Sequence, residues 1–192
     1  MLIPRPESEQ LVAQTINYVR KLGIEHPRIA DIGTGSGAIA ISIALEMPSA
    51  EVFATDISSE ALKVAQMNAH KLGAEVEFTQ GNLMDTLQGK FDLIVSNPPY
   101  IQSQVIKSLE PEVLREPRIA LDGGPNGTEV ISPLLEEIRK KLKPSYSAAY
   151  VEIDPPIADI ALKTAQAKFS YAEVSILTDL AGLIRCISIE NN

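Results

Sequence analysis

Four residues near the middle of the chain, Asn97-Pro98-Pro99-Tyr100, form a rigid polar segment directly after a run of apolar residues. Two consecutive prolines fix φ and remove two backbone donors, so the carbonyl oxygens of this segment can face a ligand. The Asn97 side chain and the Pro98 carbonyl offer two acceptors, which match a planar nitrogen that carries two hydrogens. Tyr100 could pack its ring over that planar group. The structural alternative is a stiff turn in which Asn97 caps the end of a strand.

A second segment, Asp31-Ile32-Gly33-Thr34-Gly35-Ser36-Gly37, has three glycines at alternate positions after another apolar run. Glycines in this place let the backbone turn sharply and approach a ligand closely. A dinucleotide site has the spacing G-x-G-x-x-G, whereas the spacing here is G-x-G-x-G. This spacing is typical of S-adenosylmethionine sites, in which Asp31 would accept a hydrogen bond from the ammonium group. The alternative is a tight turn between a strand and a helix.

Asp56 ends the next predicted strand, about 20 residues beyond the glycines, where a carboxylate can accept hydrogen bonds from both hydroxyls of a ribose. It could instead cap the helix that begins near Ser58, a common role for aspartate. Ser58 can provide that cap itself, which favours the ribose role. NAD would fit Asp56 equally well, so the choice of cofactor rests on the glycine spacing and on residues 97–100.

Together, the two segments predict a methyltransferase that acts on a planar nitrogen. Amide and aromatic amino nitrogens are poor nucleophiles because their lone pair is delocalised. Holding such a nitrogen in near-attack geometry lowers the barrier without a strong base, and no metal is needed. The residues alone leave open whether the nitrogen belongs to an amide or to an aromatic base.

Strands and helices alternate around these segments, which implies a mostly parallel sheet with helices on both faces. The predicted strands are 28–32, 51–56, 75–80, 91–96, 147–153, 173–178 and 182–190. The predicted helices are 8–22, 38–47, 58–73, 129–142 and 155–169. The last two strands are separated by only a few residues, which predicts an antiparallel pair. Residues 102–128 are rich in proline and glycine and predict a loop or lid. The expected fold is α/β and Rossmann-like, with seven strands.

The chain has 192 residues and a net charge of -8, with 45% hydrophobic and 22% charged residues. This length and composition predict one packed domain over residues 1–192, and the negative charge disfavours autonomous binding to nucleic acid. No apolar run is long enough to span a bilayer, and no signal peptide is apparent. We therefore expect a cytoplasmic protein, with Cys186 as a buried thiol and with His26 and His70 at the surface.

Eight short segments, spread over nearly the whole chain, match the pattern of a known family. They are IPRPESE (3–9), DIGTGSGAIAIS (31–42), ATDIS (54–58), SNPPYI (96–101), LEPEV (109–113), EP (116–117), ALDGG (120–124) and DLAG (179–182). Together they resemble the HemK/PrmC-like release factor glutamine methyltransferases. DNA adenine methyltransferases share the segment at 97–100 but do not usually carry the proline-arginine opening, EPEV or ALDGG.

The resemblance implies a class I methyltransferase fold, the cofactor S-adenosylmethionine and the product S-adenosylhomocysteine. It assigns Gly33 to Gly37, Asp56 and Ile57 to the cofactor. Asn82 would donate to a ring nitrogen of the adenine and Leu83 would pack on the base, although Leu83 could equally be a core residue. Residues 97–100 would bind a glutamine side chain of a peptide chain release factor, within a Gly-Gly-Gln motif.

The chain departs from the family pattern in three places. Family members usually carry a helical domain before the proline-arginine opening that helps to engage the release factor. This chain begins almost at that opening, either as a fragment or as a protein without that domain. Within residues 144–157, the family tends to have Pro-Gly-Gly and then Glu-(Ile/Val)-Gly with a following Gln, whereas this chain has Pro144-Ser145-Tyr146 and Glu152-Ile153-Asp154-Pro155-Pro156-Ile157. Leu183 and Ile184 replace the usual charged residues after DLAG.

Two other functions remain open at this stage. The first is a DNA or RNA amino methyltransferase, which would need a basic groove near Tyr100. The nearest basic residues to this segment are few, with Lys107 and Arg115 the closest candidates. The second is a domain that binds the cofactor or a protein partner without catalysing transfer. The sequence predicts no oligomeric state.

Overall fold

A computed structural model describes residues 7–179 and 181–191 of the chain. Residues 3–6, which hold most of the proline-arginine opening, lie outside the described residues. The helices are α1 (Glu7–Leu22), α2 (Ala38–Glu46), α3 (Ser59–Leu72), α4 (Ile131–Lys141) and α5 (Ala158–Lys168). The strands are β1 (Arg28–Ile32), β2 (Glu51–Asp56), β3 (Glu77–Gln80), β4 (Leu93–Ser96), β5 (Ser147–Glu152), β6 (Glu173–Thr178) and β7 (Ile184–Asn191).

All seven strands join one sheet in the order β3-β2-β1-β4-β5-β7-β6. Strands β1 to β5 are parallel to one another, and β7 runs antiparallel between β5 and β6. The α/β class, the seven strands and the antiparallel C-terminal pair are therefore confirmed. The strand order reverses at β1, since β2 lies on one side of it and β4 on the other. Open α/β sheets bind ligands at the carboxyl ends of the strands beside such a reversal.

The central strands divide the core in two because successive side chains point to opposite faces. In β1, Ala30 and Ile32 face one cluster of buried residues and Ile29 faces the other. Helices α4 and α5 cover the first cluster, which includes Leu134. Helices α1 and α2 cover the second, which includes Leu11. Burial on both faces explains why β4 and β5 contain so few exposed polar residues.

Several element boundaries differ from the prediction by a few residues, and the structure shows a reason at two of them. Strand β4 begins at Leu93 because the Arg28 N–H donates to the Asp92 carboxylate at 2.8 Å, while Phe91 forms an isolated bridge with Leu142. Helix α5 begins only after a 3-10 turn at 155–157, where Pro155 and Pro156 each disfavour a helical conformation in the residue before them.

Residues 102–128 contain three short 3-10 turns but neither an α-helix nor a regular strand, as predicted for a loop. Cys186 is 1% exposed, and burial raises the pKa of its thiol. His26 and His70 are both exposed. Within residues 7–179 and 181–191, none of the helices has the length and apolar character needed to cross a membrane.

Candidate functional site

A cavity of about 500 Å³ lies at the edge of the sheet where β1, β2 and β4 end. This size is ordinary for a site that takes a nucleoside-sized ligand. The predicted site residues that line it are Gly33, Thr34, Gly35, Ser36, Asp56, Ile57, Asn82, Leu83, Asn97, Pro98 and Pro99. Asp31, Gly37 and Tyr100 belong to the predicted set but do not line this cavity.

The glycine loop between β1 and α2 needs glycine for two different reasons. Gly33 and Gly35 have φ values of +73° and +59°, and a Cβ at either position would enter open space beside the cavity. Gly37 packs against α3, because an added Cβ would stand 3.1 Å from Ala65 of that helix, besides 2.9 Å from Ile41 of α2. The first two glycines therefore leave room for a ligand, whereas the third allows two helices to approach.

Asp31 lies beneath the glycine loop and is fully buried. Its Oδ2 accepts hydrogen bonds from Thr34 Oγ1 at 2.6 Å and from the Ala40 N–H at 3.1 Å, which fastens the loop to the start of α2. Its Oδ1 is buried without a hydrogen-bond partner among the described residues. Burial raises the pKa of the Asp31 carboxyl to about 6. A buried carboxylate oxygen with unused acceptor capacity suits a nearby cation such as an ammonium group.

The raised pKa of Asp31 predicts an unusual dependence of stability on pH. The folded carboxyl holds its proton up to about pH 6, whereas the unfolded carboxyl loses it near 3.8. Stability from this group is therefore complete below 3.8 and is lost as the pH rises through 6. Relative to Asp31→Asn, we expect the ligand-free protein to lose roughly 3 kcal/mol of unfolding free energy between about pH 4 and pH 7. Urea unfolding across this range measures the difference, and parallel profiles would contradict the prediction.

The Asp56 carboxylate joins the glycine loop to the start of α3. Its Oδ2 accepts from the Gly35 N–H and its Oδ1 from the Ser58 N–H, both at 2.8 Å. The Ser58 hydroxyl caps α3 by accepting from the Ala61 N–H, as expected. Each carboxylate oxygen has two acceptor sites, so Asp56 retains one on each oxygen for a ligand hydroxyl.

The next wall of the cavity is formed by Asn82 and Leu83, after β3. Leu83 has a φ of +54°, a conformation that a residue with a Cβ seldom adopts. The Thr55 hydroxyl donates to the Leu83 carbonyl at 2.7 Å and holds this turn in place. Leu83 also packs against the core, so both of its predicted roles are compatible with its position.

Residues 97–99 separate this cavity from a second one of about 250 Å³. Asn97, Pro98 and Pro99 line both cavities, whereas Tyr100 lines only the second. The Tyr100 hydroxyl donates to Glu152 Oε1 at 3.3 Å, which ties the ring to the end of β5. The segment therefore forms a wall that the two cavities share, together with Ala120.

The ALDGG segment braces this wall, a role that the sequence analysis did not assign. The Ile101 N–H donates to the Leu121 carbonyl at 3.0 Å, and the Gly123 N–H donates to the Ile101 carbonyl at 2.8 Å. Asp122 fixes the brace by accepting from Ser103 and Arg118. Hydrogen bonds to Ser103 and Arg118 hold the pKa of Asp122 below its usual range. The sequence did contain one indication of this brace, namely the adjacent glycines Gly123 and Gly124 in a segment that matches the family pattern.

Gly123 approaches the wall so closely that a methyl group should disturb it. An added Cβ would stand 2.7 Å from Tyr100 Cα and 2.8 Å from its carbonyl carbon. We expect Gly123→Ala to lower the free energy of unfolding by about 1–3 kcal/mol through overcrowding and to reduce methyl transfer. Denaturant unfolding and a transfer assay would measure the two effects. As a control, Gly23→Ala meets no atom within 4 Å and carries only the strain of a residue with a Cβ at a φ of +63°, so it can lower stability without crowding the wall; equal transfer rates in the two variants would contradict the prediction.

The residues of the first cavity fit S-adenosylmethionine better than a dinucleotide. The charged residues in its lining are Asp56, Glu60 and Asp122, and the described lining contains no lysine or arginine to balance a pyrophosphate. Three carboxylates suit a ligand whose sulfur and ammonium groups are positive. The described residues contain no group of three or more histidine, cysteine or acidic residues that could hold a metal ion.

Comparisons with known proteins point in the same direction. Residues 10–142 match the family described as Methyltransferase small domain. The chain is 43% identical over 154 residues to the release factor glutamine methyltransferase of Deinococcus radiodurans, covering 80% of this chain and 54% of the relative. It is 38% identical over 195 residues to the enzyme of the same name from Bacillus cereus, covering 99% of this chain and 69% of the relative. The chain thus spans little more than half to about two thirds of the length of these relatives.

A solved structure from Alicyclobacillus acidocaldarius is also similar to this chain. That protein is described as a release factor-specific protein-(glutamine-N5) methyltransferase. The two superpose with a TM-score of 0.61 at 25% sequence identity, and the similarity covers 99% of this chain and 95% of the other.

Proposed function

Because the chain belongs to the release factor glutamine methyltransferase family, we propose that it transfers a methyl group from S-adenosylmethionine to the side-chain amide nitrogen of a protein glutamine. The proposed target is the Gly-Gly-Gln motif of a peptide chain release factor. One observation carries this proposal: residues 97–99 line both cavities. A nitrogen held at this wall from the second cavity would face a methyl donor in the first.

In this proposal the first cavity holds the cofactor, which supplies a methyl group on a positively charged sulfur and leaves as S-adenosylhomocysteine. Gly33 to Gly37 and Ile57 surround it, and Asp56 accepts from its ribose hydroxyls. Asn82 and Leu83 contact the adenine. Asp31 provides negative charge beneath the loop for the ammonium group, so cofactor affinity should fall as the pH drops through about 6 and this carboxylate is protonated.

The wall itself prepares the nitrogen for attack. The Asn97 side-chain oxygen and the Pro98 carbonyl accept the two amide hydrogens, so the lone pair points into the first cavity. Tyr100, fastened to Glu152, provides a flat surface in the second cavity for the amide plane. Holding the nitrogen in one orientation replaces a strong base as the main source of rate enhancement.

The charges near the wall suit a protein substrate better than a nucleic acid. Residues 101–128 contain three basic side chains, Lys107, Arg115 and Arg118, against four acidic ones, Glu110, Glu112, Glu116 and Asp122. Lys107 and Arg115 are exposed and line neither cavity. A phosphate backbone would therefore meet a mixed surface instead of a basic groove.

A labelling experiment would test the proposal against both alternatives. The purified chain receives S-adenosylmethionine with a radioactive methyl group, together with intact release factor, a Gly-Gly-Gln peptide, a matched Gly-Gly-Glu peptide, DNA or ribosomal RNA. We expect label in the release factor and the Gln peptide and none in the Glu peptide, which lacks the amide nitrogen. Label in nucleic acid alone, or cofactor binding without any transfer, would contradict the proposal.

A further inference from the structure

The second cavity contains two opposite charges that methyl transfer itself does not use. Arg185, at the start of β7, and Asp154, just after β5, both line it. We propose that these two residues bind the main chain of the substrate polypeptide beside the target glutamine, with Arg185 as the donor and Asp154 as the acceptor. This inference rests on the proposed function and deepens it, because it assigns the contacts that select a polypeptide.

Arg185 is held in position by the DLAG segment, whose role the methyl-transfer proposal leaves unexplained. Its Nε donates to Asp179 Oδ2 at 2.8 Å, and both side chains are about three-quarters buried, with 22% and 24% exposed. Asp179 Oδ1 accepts from the N–H groups of Ala181 and Leu183, both at 2.9 Å, which closes the turn between β6 and β7. The hydrogen bond from Arg185 holds the pKa of Asp179 below its usual range.

The pairing of β5 with β7 brings Asp154 to the same place. Glu152 is opposite Cys186 in the antiparallel register. The Ile153 N–H then donates to the Arg185 carbonyl at 2.9 Å, which continues the pairing one residue beyond β5. Asp154 is the next residue along the chain. The acid and the base are therefore fixed by two paired strands rather than by a mobile loop, and such support makes a binding site precise.

The remaining walls of the cavity indicate what these charges would bind. They are largely apolar, with Val105, Leu109, Val113, Pro156 and Ile157 among them. A peptide main chain is neutral and carries both N–H donors and carbonyl acceptors. Besides their contacts within the protein, Arg185 can donate to a carbonyl and the Asp154 carboxylate can accept from an amide, since a guanidinium has five N–H groups and a carboxylate has about four acceptor positions. An anionic phosphate chain would instead place negative charge beside Asp154.

Steady-state kinetics with a Gly-Gly-Gln peptide would test this inference. We expect Arg185→Gln and Asp154→Asn each to raise the KM for the peptide by about tenfold or more, because each loses a charge-assisted hydrogen bond. We expect the value of kcat and the Kd for S-adenosylmethionine to change less than about twofold, because neither residue lines the first cavity. Asp179→Asn should raise the KM by a smaller factor, and Arg185→Lys should recover part of the loss.

Arg139→Gln is the matched control, because Arg139 also pairs with a carboxylate, Glu136 at 2.7 Å, but lines neither cavity. Peptide affinity, measured by fluorescence anisotropy with S-adenosylhomocysteine present, gives a second readout independent of turnover. An unchanged peptide KM in Arg185→Gln would contradict the inference. If cofactor affinity fell by as much as peptide affinity and the Tm were lowered, the role of Arg185 would be merely structural. Failure of the unaltered protein to methylate any peptide would instead overturn the proposed function and this inference with it.

Discussion

Replacing Asn97 with alanine is expected to lower kcat by about 10²- to 10³-fold, the loss typical when one positioned polar group at the reacting atom is removed. Asn97 stands where the two cavities meet, and alanine removes one of the two acceptors that orient the amide nitrogen. The rigid prolines that follow remain, so the loop should keep its course. Single-turnover assays would measure the rate, and calorimetry should show a Kd for S-adenosylmethionine within a few-fold of normal.

Asn82→Ala is the matched control, because Asn82 lines only the first cavity. This variant should raise the Kd for the cofactor while kcat at saturating cofactor stays close to normal. Asn97→Ala should therefore lower kcat with little effect on the cofactor Kd, whereas Asn82→Ala should raise the cofactor Kd with little effect on kcat. Near-normal turnover in Asn97→Ala would show that Asn97 does not orient the amide nitrogen for attack.

Replacing Asp56 with alanine is expected to weaken the binding of S-adenosylmethionine by about 100-fold or more, since two charge-assisted hydrogen bonds to the ribose would be lost. The same change removes the acceptor for the Gly35 and Ser58 N–H groups, so the glycine loop should also lose order. Isothermal calorimetry with S-adenosylmethionine and S-adenosylhomocysteine would measure the effect, which should be of similar size for both ligands because they share the ribose.

Glu51→Ala provides the control for that experiment. Glu51 is an exposed carboxylate at the opposite end of the same strand, paired with Arg28. Surface pairs of this kind contribute little to stability, about 0–1 kcal/mol. Equal cofactor affinity in the two variants would mean that Asp56 only anchors the loop.

Local patterns were sufficient to predict most of the fold. The alternation of apolar strands with amphipathic helices required a mostly parallel sheet, and the short link between β6 and β7 required an antiparallel pair. The start of β4 differed because it depends on a tertiary contact. The Asp92 carboxylate accepts a hydrogen bond from the Arg28 N–H, and nothing in the local sequence around 91–96 indicates that partner. That residues 1–192 form a single domain stays a prediction.

The site was predictable where chemistry and spacing coincide, as in the glycines, Asp56 and residues 97–100. Asp31 lies beneath the loop and outside the cavity lining, where it accepts hydrogen bonds from Thr34 and Ala40, and its predicted contact with the ammonium group stays a prediction. The brace by Gly123 and the charged pair of the second cavity depend on segments far apart in the chain. Such contacts appear only when the sheet is assembled, and the binding roles of all these residues stay predictions.

The wall formed by residues 97–99 also has a kinetic consequence. In the proposed function the donor lies on one side and the acceptor on the other, so the methyl group would pass directly between them and only while both are bound. Initial-rate patterns should therefore intersect instead of running parallel. S-adenosylhomocysteine should compete with S-adenosylmethionine but not with the polypeptide, so a rise in the ratio of product to cofactor would slow the reaction whatever the supply of substrate.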